Sequence, residues 1–230
     1  TSEEQRLEAR GRGLDPKAWL AGYPFEPLKA TPSPILHEFY RAVARELEHT
    51  THLSVIDADG MAVSCTVTLS ASFGARVITE ETGIVLNNAV ASFSTIGANM
   101  PEPSRRTISS MAPTFVIAEG QGFLVLGSPG GDTIPSTLTE LVVALTVDGL
   151  PLAEAVRAPR FHQGFVPDEI GTERLHPLPD AVVRDLKKMG HVVRASRASI
   201  GDANVAAWLD GVPHAISDTR GGGLAAVAKP

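Results

Sequence analysis

The sequence predicts an α+β fold, with two packed layers of sheet and helices on their outer sides. Three observations predict it. Residues 52–70, "HLSVIDADGMAVSCTVTLS", hold two alternating runs joined by Asp57-Ala58-Asp59-Gly60. Acidic residues followed by glycine mark a hairpin turn, because glycine accepts the positive φ such turns need. Elsewhere apolar residues recur every three or four positions, the period of an amphipathic helix. The order of these segments is strands, then helices, then strands.

The elements follow in order. Residues 1–34 are charged, then proline-rich, and read as a connector. Residues 35–48 place Ile35, Leu36, Phe39, Val43 and Leu47 on one helical face. The period changes to that of a strand from Thr51. Further strands are expected at 84–86, 114–118 and 122–126, the last two joined by a turn at Glu119-Gly120. Residues 134–147 and 151–157 read as helices. A third helix, 178–189, lines up Leu178, Val182, Leu186 and Met189 and ends at Gly190. Strands are expected near 191–195, 204–208 and 213–216.

The chain has 230 residues, 43% hydrophobic and 20% charged, enough to bury a sizeable core. A net charge of −6 argues against nucleic acid as a partner. No stretch reads as a membrane span or a targeting segment, so no membrane partner is expected and the compartment, cytoplasm or periplasm, stays open. The lone Cys65 excludes an intrachain disulfide and is expected to be a buried thiol.

Several stretches could carry chemistry. In "EHTTHLSV", residues 48–55, Thr50 and Thr51 start a strand or serve as a nucleophile. A mid-chain threonine hydroxyl needs an outside base. A threonine freed at its amino end carries one, its own α-amine of pKa near 8. The glycine pair of "LGSPGGDT", residues 126–133, forms either a plain tight turn or a corner whose N–H groups face an oxyanion or phosphate. No Gly-Lys-Ser or Gly-Lys-Thr follows, so it is no P-loop. "RRTISSMAPT", residues 105–114, is a solvated loop or a carboxylate receiver. His49 and His52 have metal-ligand types, but no third ligand is near and no metal is expected. His162 reads as packed and hydrogen-bonded, and Asp218 with Arg220 as a structural ion pair.

The set is more specific than its members. "TTHLSVIDADG", "TLSASFG", "GIVLNN", "SSMAPT", "GSPGG", "APRFH" and "SDTRGG", in this order, resemble the small subunit of the γ-glutamyltransferase family from Thr50 onward. The resemblance implies an N-terminal-nucleophile hydrolase, with a four-layer αββα sandwich of two antiparallel sheets between helical layers. It implies that residues 1–49 end a large-subunit segment and that 50–230 form the catalytic small subunit. Cleavage then falls between His49 and Thr50, with Thr50 as nucleophile. Thr68 matches the threonine that supports it, Gly130 and Gly131 the oxyanion pair, and Ser109 and Ser110 the serines that bind the substrate's carboxylate. Arg106, near the serines, is a further candidate for that carboxylate. No cofactor is implied. The partners implied are the large subunit of the same precursor, an assembly of two large and two small subunits, and a small acidic amide.

The chain also departs from the pattern. The family places a glutamine or glutamate after "GILLNN", and an aspartate three residues later, to hold the substrate's α-ammonium. Here those positions are Ala89 and Ser92, and the asparagine after the supporting threonine is Ser70. An ammonium buried without its carboxylate costs several kcal/mol, on the order of 10²-fold in recognition. The leading expectation is therefore an autoprocessing hydrolase of an acidic amide without the amine, oxamate- or glutaryl-like. The alternatives are a true γ-glutamyl transferase or glutathione hydrolase, and an unprocessed homologue that only binds.

Overall fold

A hairpin, two sheets and three helices make up the described part of the chain. The computed structural model describes residues 48–94, 97–118, 122–164 and 167–228. The connector expected over 1–34, the helix expected up to 47 and the turn at Glu119-Gly120 lie outside them.

Strands β1 (Glu48–Ile56) and β2 (Ala62–Ala71) form the predicted antiparallel hairpin. Its turn is closed by Asp57, whose Oδ1 accepts from the N–H groups of Asp59 and Met61 at 3.0 and 2.8 Å. Gly60 takes a φ of 85°, which explains the glycine. The strand starts at Glu48, not Thr51, because β2 runs on to Ala71 and pairs with it. Thr50 and Thr51 therefore lie inside the strand.

Strands β3 (Thr114–Ala118), β4 (Gly122–Gly127), β8 (Asn204–Leu209) and β9 (Val212–Ser217) form a four-stranded antiparallel sheet in the order β3-β4-β8-β9. A second sheet joins β5 (Phe161–Gln163), β6 (Ile170–Glu173) and β7 (Val193–Arg197), with β6 and β7 parallel. Strands β5 and β6 are too short to show a period in sequence. The strand expected at 84–86 is only one bridge, Ile78 to Val85.

Helix α1 (Ile134–Thr146) buries Ile134, Thr137, Leu138, Leu141 and Ala144, the stripe its spacing predicts. Pro135 in its first turn is tolerated because those N–H groups have no helical partner. Helix α2 (Leu152–Arg157) adds Ala155 and Val156. Side chains alternate across a strand, so β4 turns Leu124 and Leu126, and β8 Val205 and Ala207, toward Ile134, Leu138, Leu141 and Val156. Fully burying each such residue contributes about 1.5–3 kcal/mol. Helix α3 (Asp180–Lys188) forms where expected and ends before Gly190, which takes a φ of 95°. None of its residues is fully buried, and Val182 and Met189 are exposed.

The opposite face of the four-stranded sheet, carrying Val125, Gly127 and Ala206, receives the hairpin. Ser54 Oγ donates to Asn204 O at 3.1 Å and Ser64 Oγ to Leu126 O at 3.0 Å. The hairpin thus turns its polar residues inward and its apolar ones outward. Leu53, Val55, Val63 and Val67 are 45–51% exposed. Cys65 shares that outward row, which is why it is only half-buried and not the core thiol expected. Helices, sheet and hairpin make a helix-sheet-sheet stack, and the antiparallel α+β class is as predicted.

The contact between hairpin and sheet depends on one glycine. A Cβ on Gly127 would overlap the ring of His52. Gly127→Ala is expected to destabilise by about 1–3 kcal/mol, the usual cost of overpacking. A lowered urea midpoint checks this, and an unchanged midpoint would refute the packing argument.

Candidate active site

The hairpin places Thr50 opposite Thr68, and Thr50 Oγ1 donates to Thr68 Oγ1 at 3.1 Å. Thr68 Oγ1 also accepts from Ser70 N at 2.9 Å. Ser70 holds a φ of 73°, unusual for a residue with a side chain. The β1-β2 register shifts between Glu48 and Thr50, across the His49-Thr50 bond. Bulges of this kind bend a strand and re-aim its residues, often beside active sites.

Next to Thr50 on the inward face is His52. Its ring nitrogens meet Thr66 Oγ1 at 2.8 Å and Ser54 Oγ at 3.0 Å. Burial lowers its pKa to about 4, so it is neutral at pH 7. His52 is a packed ring between hairpin and sheet. Among the described residues no group of three His, Cys, Asp or Glu side chains converges as metal ligands would.

The loop after "GIVLNN" docks on the end of β2. Asn88 N donates to Leu69 O at 3.1 Å, and Asn88 Oδ1 accepts from Ala71 N at 2.9 Å. These two bonds bracket Ser70 and bring the single turn Ala89–Ser92 beside it. Asn99 Nδ2 ties that turn down by donating to Ser92 O at 2.8 Å. Ser70, Ala89 and Ser92 thus share one end of the hairpin with Thr68.

The glycine corner leaves β4 just beyond Gly127, which touches His52, two residues from Thr50. Gly130 and Gly131 have φ of 136° and 52°, in the region that favours glycine. The corner opens α1. Ser110 Oγ donates to Gly131 O at 2.6 Å, which draws the "SSMAPT" loop onto the corner. Ser109 is exposed, and its Oγ accepts from Met111 N at 3.2 Å. Arg105 is committed to Glu102 at 2.7 Å. Arg106 is exposed and, among the described residues, forms no hydrogen bond or ion pair. His162 packs as expected, 2.7 Å from Ser136 Oγ and 3.6 Å from Asp132 Oδ2.

Behind the corner lies a charge network larger than the Asp218-Arg220 pair expected. Arg220 meets Asp218 at 3.1 Å and Glu173 at 2.6 and 2.7 Å, and Arg160 meets Asp218 at 2.7 Å. All four side chains are buried. Burial opposes ionisation of Glu173, but Arg220 and the N–H groups of Arg160 and Ile200 outweigh it and hold the carboxyl below its ordinary value. Asp218 is held down in the same way, against burial, chiefly by Arg160. Asp202 is raised, by burial and then by Asp218. Sequence reasoning missed Arg160 and Glu173. Arg160 lies in the "APRFH" motif, but only the fold brings it to Asp218.

Comparison with known proteins identifies the family. The chain matches the Gamma-glutamyltranspeptidase family over residues 23–228. It is 38% identical over 187 residues to a glutathione hydrolase proenzyme of Escherichia coli, covering 76% of this chain and 32% of that protein. The corresponding proenzyme of Pseudomonas aeruginosa is 37% identical over 199 residues, at 80% and 36% coverage. The chain therefore spans about a third of the length of these curated relatives. Among solved structures, a Gamma-glutamyltranspeptidase from Pseudomonas nitroreducens complexed with L-DON superposes with a TM-score of 0.71 at 34% identity. That match covers 78% of this chain and 100% of the other. A cephalosporin acylase from Bacillus halodurans, at 21% identity and a TM-score of 0.64 over 78% of this chain and 34% of its own, shares the fold. This chain belongs to the Gamma-glutamyltranspeptidase family of N-terminal-nucleophile hydrolases.

Proposed function

We propose that this chain carries the nucleophile of a self-cleaving amide hydrolase, opened at the His49-Thr50 bond. The observation that carries the reading is the Thr50-Thr68 hydroxyl pair at 3.1 Å, set beside the register shift that spans that bond. In the first step Thr50 Oγ1 attacks the His49 carbonyl carbon. The C–N bond breaks, the hydroxyl proton passes to the nitrogen, and an ester forms. That step frees the α-amine, and water then hydrolyses the ester, releasing the His49 carboxylate and restoring the Thr50 hydroxyl. In turnover the amine takes the hydroxyl proton while Oγ1 attacks the substrate amide, and Gly130 and Gly131 N–H groups receive the oxyanion; the amide C–N bond then breaks, and the leaving amine departs with that proton. Water then resolves the acyl-threonine. The coverage of the Pseudomonas nitroreducens chain supports the cleavage position, because residues 50–230 are a similar share of this sequence.

For the acyl group, the relatives support a γ-glutamyl amide such as glutathione, and we take that reading first, ahead of the amine-free acid expected from sequence. Ala89 and Ser92 favour the second reading, since the turn beside Ser70 offers no carboxylate to an ammonium. The outward apolar row of the hairpin supports a covering layer from the rest of the precursor, the large subunit. Two measurements test these statements. Intact mass is expected to show two chains, one beginning at Thr50, and a fully active uncut chain would sink the mechanism. γ-Glutamyl-p-nitroanilide is expected to outrun its glutaryl analogue. A glutaryl preference of about 10²-fold would install the second reading instead.

A further inference from the structure

Three hydroxyls pin the glycine corner. Ser128 Oγ donates to Pro129 O at 2.5 Å, Thr133 Oγ1 to Gly130 O at 2.8 Å, and Ser110 Oγ to Gly131 O at 2.6 Å. Thr133 N adds a second bond to Gly130 O at 3.0 Å. A trans peptide is planar, and its C=O and N–H point in opposite directions. The Pro129 carbonyl shares its plane with Gly130 N–H, and the Gly130 carbonyl shares its plane with Gly131 N–H. Anchoring these carbonyls therefore aims both N–H groups away from the anchors. Among the described residues no acceptor meets either N–H. Only glycine fits here, since a Cβ on Gly130 would sit 2.6 Å from Thr133 Oγ1 at a φ of 136°.

We propose that Thr133, with Ser128 holding the preceding peptide, is a positioning residue that sets the direction of the oxyanion donors. The proposal rests on the reading that Gly130 and Gly131 N–H groups receive the oxyanion. Thr133 is fully buried, so its hydroxyl is reserved for the corner. Ser128 is fully buried too, and its hydroxyl is given to Pro129 O. Ser110 holds Gly131 O, the peptide that carries Asp132 N–H, so it stands at the rim of the corner and aims neither donor.

The test uses the processed full-length protein with whichever anilide it turns over. Losing one oxyanion donor outright costs about 10²–10³-fold in kcat, and misaiming it costs part of that. Thr133→Val keeps the shape and removes the hydroxyl. It is expected to lower kcat about 10- to 100-fold with KM nearly unchanged, and Thr133→Ser is expected to restore most of kcat. Ser128→Ala is expected to lower kcat in the same way, through Gly130 N–H. Equal kcat for Thr133→Ser and Thr133→Val at equal thermal midpoints would overturn the proposal, since the methyl and not the hydroxyl would then matter. Should Thr133→Val fail to fold, Ser128→Ala decides, and an unchanged kcat there overturns the proposal. Mass analysis of the quenched wild-type enzyme separates the two levels. An acyl group on Thr50 with unaltered kcat in both variants overturns this proposal alone. An acyl group elsewhere overturns the underlying reading and this proposal with it.

Discussion

Thr50→Ala is expected to leave one uncut chain and to lower turnover by about 10⁴-fold or more. Both effects come from the same oxygen. The hydroxyl that would break the His49-Thr50 bond is also the one that would attack substrate, and it stands 3.1 Å from Thr68 Oγ1. Alanine removes the attacking atom while keeping the strand, because the β1-β2 ladder runs through backbone groups on both sides. The thermal midpoint should therefore change little. Thr50→Ser keeps the hydroxyl and is expected to cleave and to turn over. Intact mass, a steady-state assay and a melting curve make the three readouts. A cleaved, active Thr50→Ala protein would end the mechanism proposed for this chain.

Glu173→Gln is expected to produce the largest loss of stability. The Glu173 carboxylate accepts from Arg220 Nε and Nη2 at 2.6 and 2.7 Å and from the N–H groups of Ile200 and Arg160 at 2.7 and 2.8 Å. Glutamine has the same shape, but turns an NH₂ group toward two of those donors. It also leaves two buried arginines with Asp218 as the one remaining carboxylate of the network. Breaking a buried pair in this way costs roughly 3–5 kcal/mol, or about 6–20 °C in melting temperature for a chain of this size. A shift under about 2 °C would show that the network contributes little. The sign of the pH dependence follows from the lowered carboxyls of Glu173 and Asp218. Their stabilisation is present above the ordinary carboxylate range, about pH 4, and is lost as pH falls through it toward their folded values. The variant should lose less on acidification than the wild type.

That network also bears on the corner. Ile200 N meets Glu173, Ala203 N meets Asp218, and between them Asp202 N donates to Ser128 Oγ at 2.9 Å. Ser128 in turn holds the Pro129 carbonyl. The segment 200–203 therefore links four buried charges to the turn that aims the N–H groups. Loss of Glu173 is expected to reach catalysis through this segment as well as through unfolding.

Much of the fold could be read from periodicity and turn chemistry. The hairpin, its Asp-Ala-Asp-Gly turn and helix α1 follow from local rules that need no tertiary information. So does the glycine pair, where positive φ is required. Strands β5 and β6 were not legible, being three and four residues long. Helix α3 was legible from its period, but the period did not tell that none of its residues is fully buried. Among the candidate residues, motif order identified Thr50, Thr68, Gly130, Gly131 and the two serines. It could not tell Ser109 from Ser110, because which hydroxyl spends its proton on Gly131 O depends on how a distant loop docks.

By itself the sequence determined the family and the hairpin, because these rest on residue identity and on a strand's period of two, whereas the register that sets Thr50 opposite Thr68 came with the structure. Only the tertiary structure decided which side of the hairpin faces the sheet. Alternation says that two faces differ, not which is buried. Here the polar face goes inward, because Ser54 and Ser64 find backbone carbonyls there and His52 finds the space that Gly127 leaves. The tertiary structure likewise brought Arg160 and Glu173 to Asp218 and Arg220. Charges far apart in the chain can meet only when folding removes the water between them, and no local pattern records that meeting.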